Sequence, residues 1–199
     1  MIKNNIKKIV LGVVLLTTPL IAGYEFNTKS LVGIEGGAST LDFENGLNLN
    51  NTQGSVGLAN LGLKLGAETE DFRAFLSGRY FYDSSNKYDY LTTFGVEIQY
   101  KFNVSKAFNI YMGANGGLAN AKFRGTASNG VEETFSRTIS DPYFGGDIGT
   151  NIHLGDATDI EIGGRVMSIQ ATNTKNTTSY RVGNIVNVYA SLIFKWQMD

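Results

Sequence analysis

A strict alternation of apolar and polar side chains is the sequence feature that most limits how this chain can fold. It is clearest in Tyr90–Phe102 (YLTTFGVEIQYKF), where every second position is aromatic, aliphatic or Thr and the intervening positions include Glu97, Gln99 and Lys101. Successive side chains of a β-strand point to opposite faces, whereas helical side chains repeat every 3.6 residues. The pattern therefore predicts a strand with one apolar and one polar face.

The same alternation recurs along most of the chain. The eight predicted strands are Leu31–Thr40, Ser55–Glu68, Phe72–Tyr82, Tyr90–Phe102, Phe108–Lys122, Pro142–Leu154, Asp159–Ala171 and Asn184–Gln197. The short links between them are Thr69–Asp71, Asn103–Ala107 and Gly155–Thr158, and the longer polar links are Asp42–Gly54, Asp83–Asp89, Arg124–Asp141 and Thr172–Gly183. Transmembrane barrels have short turns at one end and long external loops at the other. The links therefore predict an all-β, eight-stranded, antiparallel up-and-down barrel.

The N-terminus predicts export. The first eight residues carry three lysines, the apolar run Ile9–Leu16 follows, and a short segment of polar and small residues comes next. This order is typical of a secretory signal peptide, with cleavage after Ala22 or Gly23. The apolar run is much shorter than the roughly 20 residues that a spanning helix needs. We therefore expect a signal peptide in residues 1–22 and one domain in residues 23–199.

Composition excludes several classes of function. The chain has no cysteine, which excludes disulfides, thiol catalysis and cysteine-based zinc sites. Without the signal peptide it carries 14 basic and 18 acidic residues, so no basic excess predicts nucleic-acid binding. No later segment is long and apolar enough for a spanning helix, so residence in a membrane requires a closed barrel.

Three features predict that the apolar face of the barrel points outward, to lipid, and not inward as in a soluble lipocalin-like barrel. The polar face is rich in glycine and small residues, which suits the narrow interior of an eight-stranded barrel. The apolar face carries no charge along the predicted strands, and its aromatic residues lie near strand ends. The aromatic residues are Phe72, Phe102, Phe108 and Trp196 near one end and Tyr80, Tyr82, Tyr90 and Phe144 near the other. We therefore expect an outer-membrane protein, monomeric, whose main partner is the lipid bilayer.

The chain resembles the OmpA-type and OmpX-type small outer-membrane barrels over essentially its whole mature length. The resemblance consists of the signal peptide, the eight alternating strands, the four long loops and an aromatic-rich last strand (VNVYASLIFKW). It implies a transmembrane barrel in the outer membrane with both termini in the periplasm. It brings no catalytic, metal or cofactor residue with it.

Charged side chains on the polar face form the candidate functional site. They are Glu35, Glu68, Glu97, Asp147, Glu161, Lys64, Arg73, Arg79, Lys101, Arg165 and Lys195. Those predicted nearest mid-height are Glu35, Lys64, Arg79, Glu97, Asp147 and Arg165. Charges in a narrow lumen must pair, because a buried unpaired charge is strongly unfavourable. The network is either a plug that fills the interior or a salt-bridge gate in a conduit. We favour the plug, since eight-stranded interiors are normally filled.

Other candidate motifs give weaker signals. His153 lies beside a short link with no nucleophile next to it in sequence, so we interpret it as a lumen histidine and not a catalytic base. The glycine-rich pieces Gly33–Ala38, Gly113–Ala119 and Gly145–Gly149 do not open helices and so are not nucleotide loops. The acidic residues of the third loop, Glu132, Glu133 and Asp141, lack the spacing of a cation site. We therefore predict no catalytic residue, metal or cofactor.

The function that this pattern favours is structural or adhesive. Loops on a rigid scaffold commonly carry binding function, so an extracellular ligand or host surface would contact the long loops. One alternative is a narrow porin-like channel. A second is an enzyme that modifies lipid A, in which a histidine would activate a nearby serine.

Overall fold

The computed structural model describes residues 28–47, 50–83, 88–126, 134–175 and 178–197, which form a closed eight-stranded barrel. The strands are β1 (Lys29–Leu47), β2 (Asn50–Glu68), β3 (Phe72–Asp83), β4 (Tyr88–Asn103), β5 (Phe108–Thr126), β6 (Thr134–His153), β7 (Thr158–Lys175) and β8 (Thr178–Gln197). Each strand pairs antiparallel with the next, and β1 pairs with β8 to close the barrel. Among the described residues, none belongs to a helix long and apolar enough to cross a membrane.

The apolar face of the barrel is on the outside, as predicted. Leu61 and Leu63 are 64% and 62% exposed, whereas Lys64 and Glu97 are 1% and 0% exposed. This is the reverse of a water-soluble protein, which rarely exposes a large continuous apolar surface. Lipid removes the cost of that exposure, so the outer surface is a membrane-facing surface and the barrel is a transmembrane barrel.

Aromatic side chains mark both edges of this apolar surface. Phe72, Tyr100 and Phe102 stack edge to face near the short turns, with ring centroids 5.0 Å and 4.8 Å apart. Exposed Tyr82 and Phe144 lie toward the opposite end. Rings of this kind occupy the two membrane–water interfaces. We call the part of the barrel between the two rings the membrane level. The part beyond Tyr82 and Phe144 is the loop side.

The three short connections follow the prediction, and so nearly does the β3–β4 link, but the other three long links are shorter than predicted. Strands continue through much of the segments predicted as loops. β1 and β2 remain paired as far as Leu47 and Asn50, and β5 and β6 as far as Thr126 and Thr134. The polar composition of these segments predicts loops. A polar hairpin can, however, satisfy its backbone groups by strand pairing. Residues 48–49, 84–87, 127–133 and 176–177 lie outside the described residues, as do the predicted signal peptide, Glu132 and Glu133.

On the loop side, four strands continue as one sheet in the order β7, β8, β1 and β2. We call the part of this sheet formed by residues 42–47, 50–57, 171–175 and 178–182 the projecting sheet. Within it, Thr178 pairs with both Leu47 and Lys175. The strand register shifts where this sheet leaves the barrel wall, between Ser168 and Ala171 of β7. Such irregularities bend and twist a sheet locally.

The barrel wall divides between β6 and β7. Their described pairing ends at Tyr143 and Ile169, although β6 extends back to Thr134 and β7 forward to Lys175. Pro142 stands next to this point and has no backbone N–H to donate. Proline within sheets is confined to edges and bulges, which explains why the two strands separate here.

Candidate functional site

The inward side chains form three groups along the barrel. A charged group near the short turns, here the turn-end cluster, comprises Glu68, Arg73, Lys101, Asp159 and Lys195. The central cluster comprises Glu35, Lys64, Arg79, Glu97, Glu161 and Arg165. On the loop side lies an apolar group, the lumen apolar cluster, of Leu41, Val56, Leu58, Phe81, Leu91, Ala119, Ala121, Tyr143, Met167, Ile169 and Ile185.

Glu35 is the hub of the central cluster. Its Oε2 lies 3.0 Å from Lys64 Nζ, and its Oε1 accepts from Arg79 Nε at 2.8 Å and from Arg165 Nη1 at 3.1 Å. Three cations from three different strands therefore converge on one fully buried carboxylate from a fourth. Such a contact holds β1, β2, β3 and β7 at fixed positions across the lumen.

Two further carboxylates complete the central cluster. Glu97 forms ion pairs with Arg79, with Arg165 at 3.2 Å and with Lys64 at 3.6 Å. Glu161 accepts from Lys64 Nζ at 2.6 Å. Three carboxylates thus alternate with three cations, which is the arrangement that offsets the cost of removing each charge from water.

Five of the six residues predicted at mid-height belong to this network, and Asp147 does not. Within the described residues, its carboxylate forms no ion pair and accepts hydrogen bonds from Gln99 Nε2 at 3.2 Å and Asn115 Nδ2 at 3.4 Å. Arg165 lies directly opposite Asp147 in the strand register, but its guanidinium extends across the lumen to Glu35. Asp147 therefore lies beside the central cluster as a carboxylate held by amides, because Arg165 reaches past it.

The turn-end cluster contains a charge that sequence reasoning missed. Arg73 Nε donates to Glu68 at 2.7 Å, and Arg73 also pairs with Asp159. Lys195 Nζ lies 2.8 Å from Asp159, and Lys101 Nζ lies 3.2 Å from Glu68. Asp159 was predicted only as the start of a strand. Its spacing of two residues from Glu161 was the signal that it points inward.

With Asp159 included, the two charged clusters and Asp147 balance in formal charge, and buried Asp83 lies apart from them at the loop-side end of β3. Six carboxylates face six Lys or Arg side chains, and all twelve are at most 8% exposed. They are Glu35, Glu68, Glu97, Asp147, Asp159 and Glu161 with Lys64, Arg73, Arg79, Lys101, Arg165 and Lys195. Asp147 therefore contributes to neutrality at a distance, although it touches only amides. A neutral, paired interior is what a low-dielectric lumen requires.

Two tyrosines fill the lumen beside the central cluster. The hydroxyls of Tyr111 and Tyr189 are 2.7 Å apart. The Tyr189 ring lies 4.6 Å from Lys64 Nζ and 4.2 Å from Arg165 Cζ, within the range of cation–π attraction. A Cβ atom at Gly163 would overlap the Tyr111 hydroxyl. The inner-face glycines thus make room for large side chains from other strands, which is why those glycine-rich pieces occur here.

His153 lies at the solvent-facing edge of the turn-end cluster. Its Nδ1 is 2.7 Å from Asp159 Oδ1 and its Nε2 is 3.2 Å from Asn109 Nδ2. Neither partner is a serine, threonine or cysteine, so the contacts do not form a catalytic pair of the Ser–His kind. The described residues also contain no group of three or more His, Asp or Glu side chains that could hold a metal ion.

The lumen apolar cluster was not predicted. Leu41, Met167 and Ile185 are fully buried inside the barrel, and Phe81 and Leu91 are 1% exposed. Ten of the eleven lie within the predicted strands, on the face that the alternation assigns to the lumen, and Leu41 lies one residue beyond the predicted strand Leu31–Thr40. They close the loop side of the lumen with packed apolar side chains, beyond the charged clusters.

Comparison with known proteins identifies the fold and nothing finer. No protein-family model matches the chain, and no curated protein matches it. Among solved structures, it is similar to neisserial surface protein A, with 17% identity, a TM-score of 0.58, and coverage of 82% of this chain and 97% of that one. It is also similar to the outer membrane protein OprG of Pseudomonas aeruginosa, with 14% identity, a TM-score of 0.50, and coverage of 88% and 100%. This is the fold of small outer-membrane barrels. With the lipid-facing outer surface, it confirms the predicted architecture and the predicted outer-membrane location.

Proposed function

We propose that the protein is a non-enzymatic, non-conducting outer-membrane barrel that binds other proteins on the cell surface through its loop-side hairpins. The observation that carries this proposal is the projecting sheet. It continues hydrogen-bonded strand pairing beyond the aromatic rim, up to Leu47 and Thr178. A rigid sheet holds a binding surface away from the membrane at lower entropic cost than flexible loops.

The described edges of this sheet are its binding elements. β2 pairs with β3 only from Leu58 onward, so Asn50–Gly57 has no described partner on that side. β6 and β7 likewise have no described pairing with each other beyond Tyr143 and Ile169. A strand edge presents N–H and C=O groups that an extended peptide can pair with, a mode known as β-augmentation. Segment 50–57 (NNTQGSVG) carries no charge or proline that would discourage such pairing.

The filled lumen supports the non-conducting part of the proposal. An ion would have to pass the turn-end cluster, the central cluster and the lumen apolar cluster in series. Glu35, Glu97 and Arg165 are buried and engaged with one another, and Leu41, Met167 and Ile185 are fully buried beyond them. A charge passing the apolar layer would lose its hydration without a compensating partner.

Binding tests the first part of the proposal. The protein, refolded in lipid vesicles, is titrated with extended peptides of alternating side chains and with the same peptides N-methylated at alternate amides. We expect binding by the unmodified peptides and its loss on N-methylation, because methylation removes the backbone donors. A variant in which Leu41 and Val56 are joined by Asn-Gly, which removes the β1–β2 part of the sheet, should bind at least tenfold more weakly. Replacing residues 84–87 with Asn-Gly is the matched control, and equal losses in both variants would contradict the proposal.

Two further measurements address the alternatives. Planar-bilayer recordings of the pure protein should show no steady current, and reproducible channels would favour the porin-like function. Mass spectra of lipid A from cells with and without the gene should be identical. A change in acylation that depends on His153 would favour the enzymatic function.

A further inference from the structure

A closed ring of hydrogen bonds surrounds His153 at the turn end of the lumen. Arg73 Nη1 donates to Asn151 Oδ1 at 2.6 Å, and Asn151 Nδ2 donates to Asn109 Oδ1 at 2.8 Å. Asn109 Nδ2 meets His153 Nε2 at 3.2 Å, and His153 Nδ1 meets Asp159 Oδ1 at 2.7 Å. Asp159 Oδ2 accepts from Arg73 Nη2, which closes the ring. The ring joins side chains from β3, β5, β6 and β7.

The direction of every bond in this ring follows from Arg73. A guanidinium can only donate, so Asn151 must present its oxygen to Arg73 and its Nδ2 to Asn109. Asn109 must then present its Nδ2 to His153, whose Nε2 is left as an acceptor. The proton of a neutral imidazole therefore lies on Nδ1 and is donated to Asp159. We propose that this ring holds His153 as the neutral Nδ1–H tautomer and acts as a proton-operated lock on the turn end of the barrel.

A second proton on His153 cannot be accommodated by rotating the amides. It would place an N–H on Nε2 opposite the N–H of Asn109. Rotating the Asn109 amide moves the conflict to Asn151, and rotating both amides moves it to Arg73, which has no acceptor to offer. Protonation must therefore break one bond of the ring.

Most of the charge near His153 is cationic, although the Asp159 carboxylate contacts its ring directly. From β7, Asp159 faces His153, but it already accepts from Arg73 of β3 and Lys195 of β8. From β2 and β4, Glu68 and Lys101 complete the group, with Glu161 of β7 3.9 Å from Arg73. On β1, buried Leu31 is apolar, and half-buried Lys29 lies opposite Glu68 in the strand register. From β5, the contributing residue is neutral Asn109. The turn-end cluster thus holds three cations against two carboxylates before His153 takes up a proton.

His153 is also the member of the ring that solvent reaches. Its side chain is 23% exposed, whereas those of Arg73 and Asp159 are 0% exposed. A proton from the medium can therefore reach the imidazole directly. Once the ring opens, His153 is free to turn toward solvent, which removes its link between β6 and β7.

Two measurements on the full-length protein test the lock. Imidazole ¹⁵N spectra in micelles near pH 7.5 should show the Nδ1–H tautomer, and the Nε2–H tautomer would overturn the proposal. Urea unfolding in vesicles should show the folded-to-unfolded ratio falling roughly tenfold between about pH 7.5 and 5.5, the equivalent of one lost hydrogen bond. This range lies above the ordinary pKa values of carboxylates.

Two variants separate the ring from a simple charge effect. His153→Gln cannot take up a proton, and Asn109→Ala removes the donor that conflicts with Nε2–H. Both should lose most of the pH dependence, whatever their stability at neutral pH. Wild-type pH dependence that persists in Asn109→Ala would overturn the proposal. If either variant fails to fold, the tautomer of the wild-type histidine still decides the outcome.

Discussion

The membrane-level and loop-side parts of this barrel use the same strands with opposite polarity. At membrane level the outward side chains are apolar, such as Leu63 on β2, and the inward ones are charged, such as Lys64. On the loop side the outward side chains include exposed Ser55, while inward Val56 and Leu41 are buried. Side chains alternate between the two faces without interruption, but the face that carries the apolar side chains changes within a few residues of one strand.

The difference shows that the surroundings of a strand determine which of its faces is apolar. Lipid surrounds the wall at membrane level, so the outside is apolar and the narrow lumen carries paired charges. Toward the loop side, where Ser55 points outward and Val56 and Leu41 point inward, the inside forms an apolar core like that of a water-soluble protein. The barrel therefore joins two kinds of interior, each of which a different substitution should disturb.

The largest expected effect is on the charged interior. Glu35→Gln removes the carboxylate shared by Lys64, Arg79 and Arg165 and leaves three buried cations short of a partner. Removing one member of a buried ion pair typically costs about 3–5 kcal/mol in the free energy of unfolding. Urea unfolding in lipid vesicles measures this loss. A change below about 1 kcal/mol would mean that water enters the central cluster and screens it.

A charge on the outer surface should separate the two regions next. Leu63→Arg places a charge at lipid depth and should reduce the free energy of unfolding by about 2–4 kcal/mol. Ser55→Arg is the matched control, because Ser55 is exposed on the same face of the same strand but on the loop side. It should stay within about 0.5 kcal/mol of wild type. Similar losses in both variants would place the membrane boundary elsewhere.

Removing one methyl group should affect only the loop-side interior. Ile185 is fully buried in the lumen apolar cluster, whereas Ile98 is 54% exposed on the outer surface. Ile185→Val should cost about 0.5–1.5 kcal/mol, because it leaves a small cavity. Ile98→Val should cost almost nothing, since lipid chains fill the space. Equal stabilities of the two variants, measured by the same unfolding assay, would argue against a packed core on the loop side.

The smallest effect is expected at Asp147. Its partners are the neutral amides of Gln99 and Asn115, so Asp147→Asn leaves no cation without a direct partner. We expect a loss of about 1 kcal/mol, comparable to one net hydrogen bond. A loss as large as that of Glu35→Gln would show that overall charge balance, and not direct contact, stabilises the lumen.

Much of this architecture follows from the sequence because strand geometry ties each side chain to one face. The parity of Tyr90–Phe102 placed Glu97 inside and Ile98 outside, and the structure agrees. The sequence did not predict every ion-pair partner across the lumen. Arg165 extends past its cross-strand neighbour Asp147 to reach Glu35, and such a choice depends on three-dimensional reach and not on spacing.

The strand ends on the loop side were missed for a different reason. Residues 42–47 and 50–54 are mostly polar and resemble loop sequence, yet backbone pairing such as that of Glu44 with Gln53 keeps them in the sheet. The predicted strands end at Thr40 and begin at Ser55. Leu41 and Val56 therefore lie at predicted strand ends, where membership of a buried core is not expected. Composition alone does not distinguish a solvated hairpin from a loop, because both satisfy their polar groups with water on their faces.

The sealed lumen also bears on how abundant such a protein can be. Each open pore added to an envelope increases leakage of small solutes, so open barrels must be limited in number or selectivity. The non-conducting barrel proposed above, closed by packed Leu41, Met167 and Ile185 beyond the charged clusters, would add no such leak. A cell could then vary the number of surface copies over a wide range, according to how densely it needs to display them, without altering the permeability of its outer membrane.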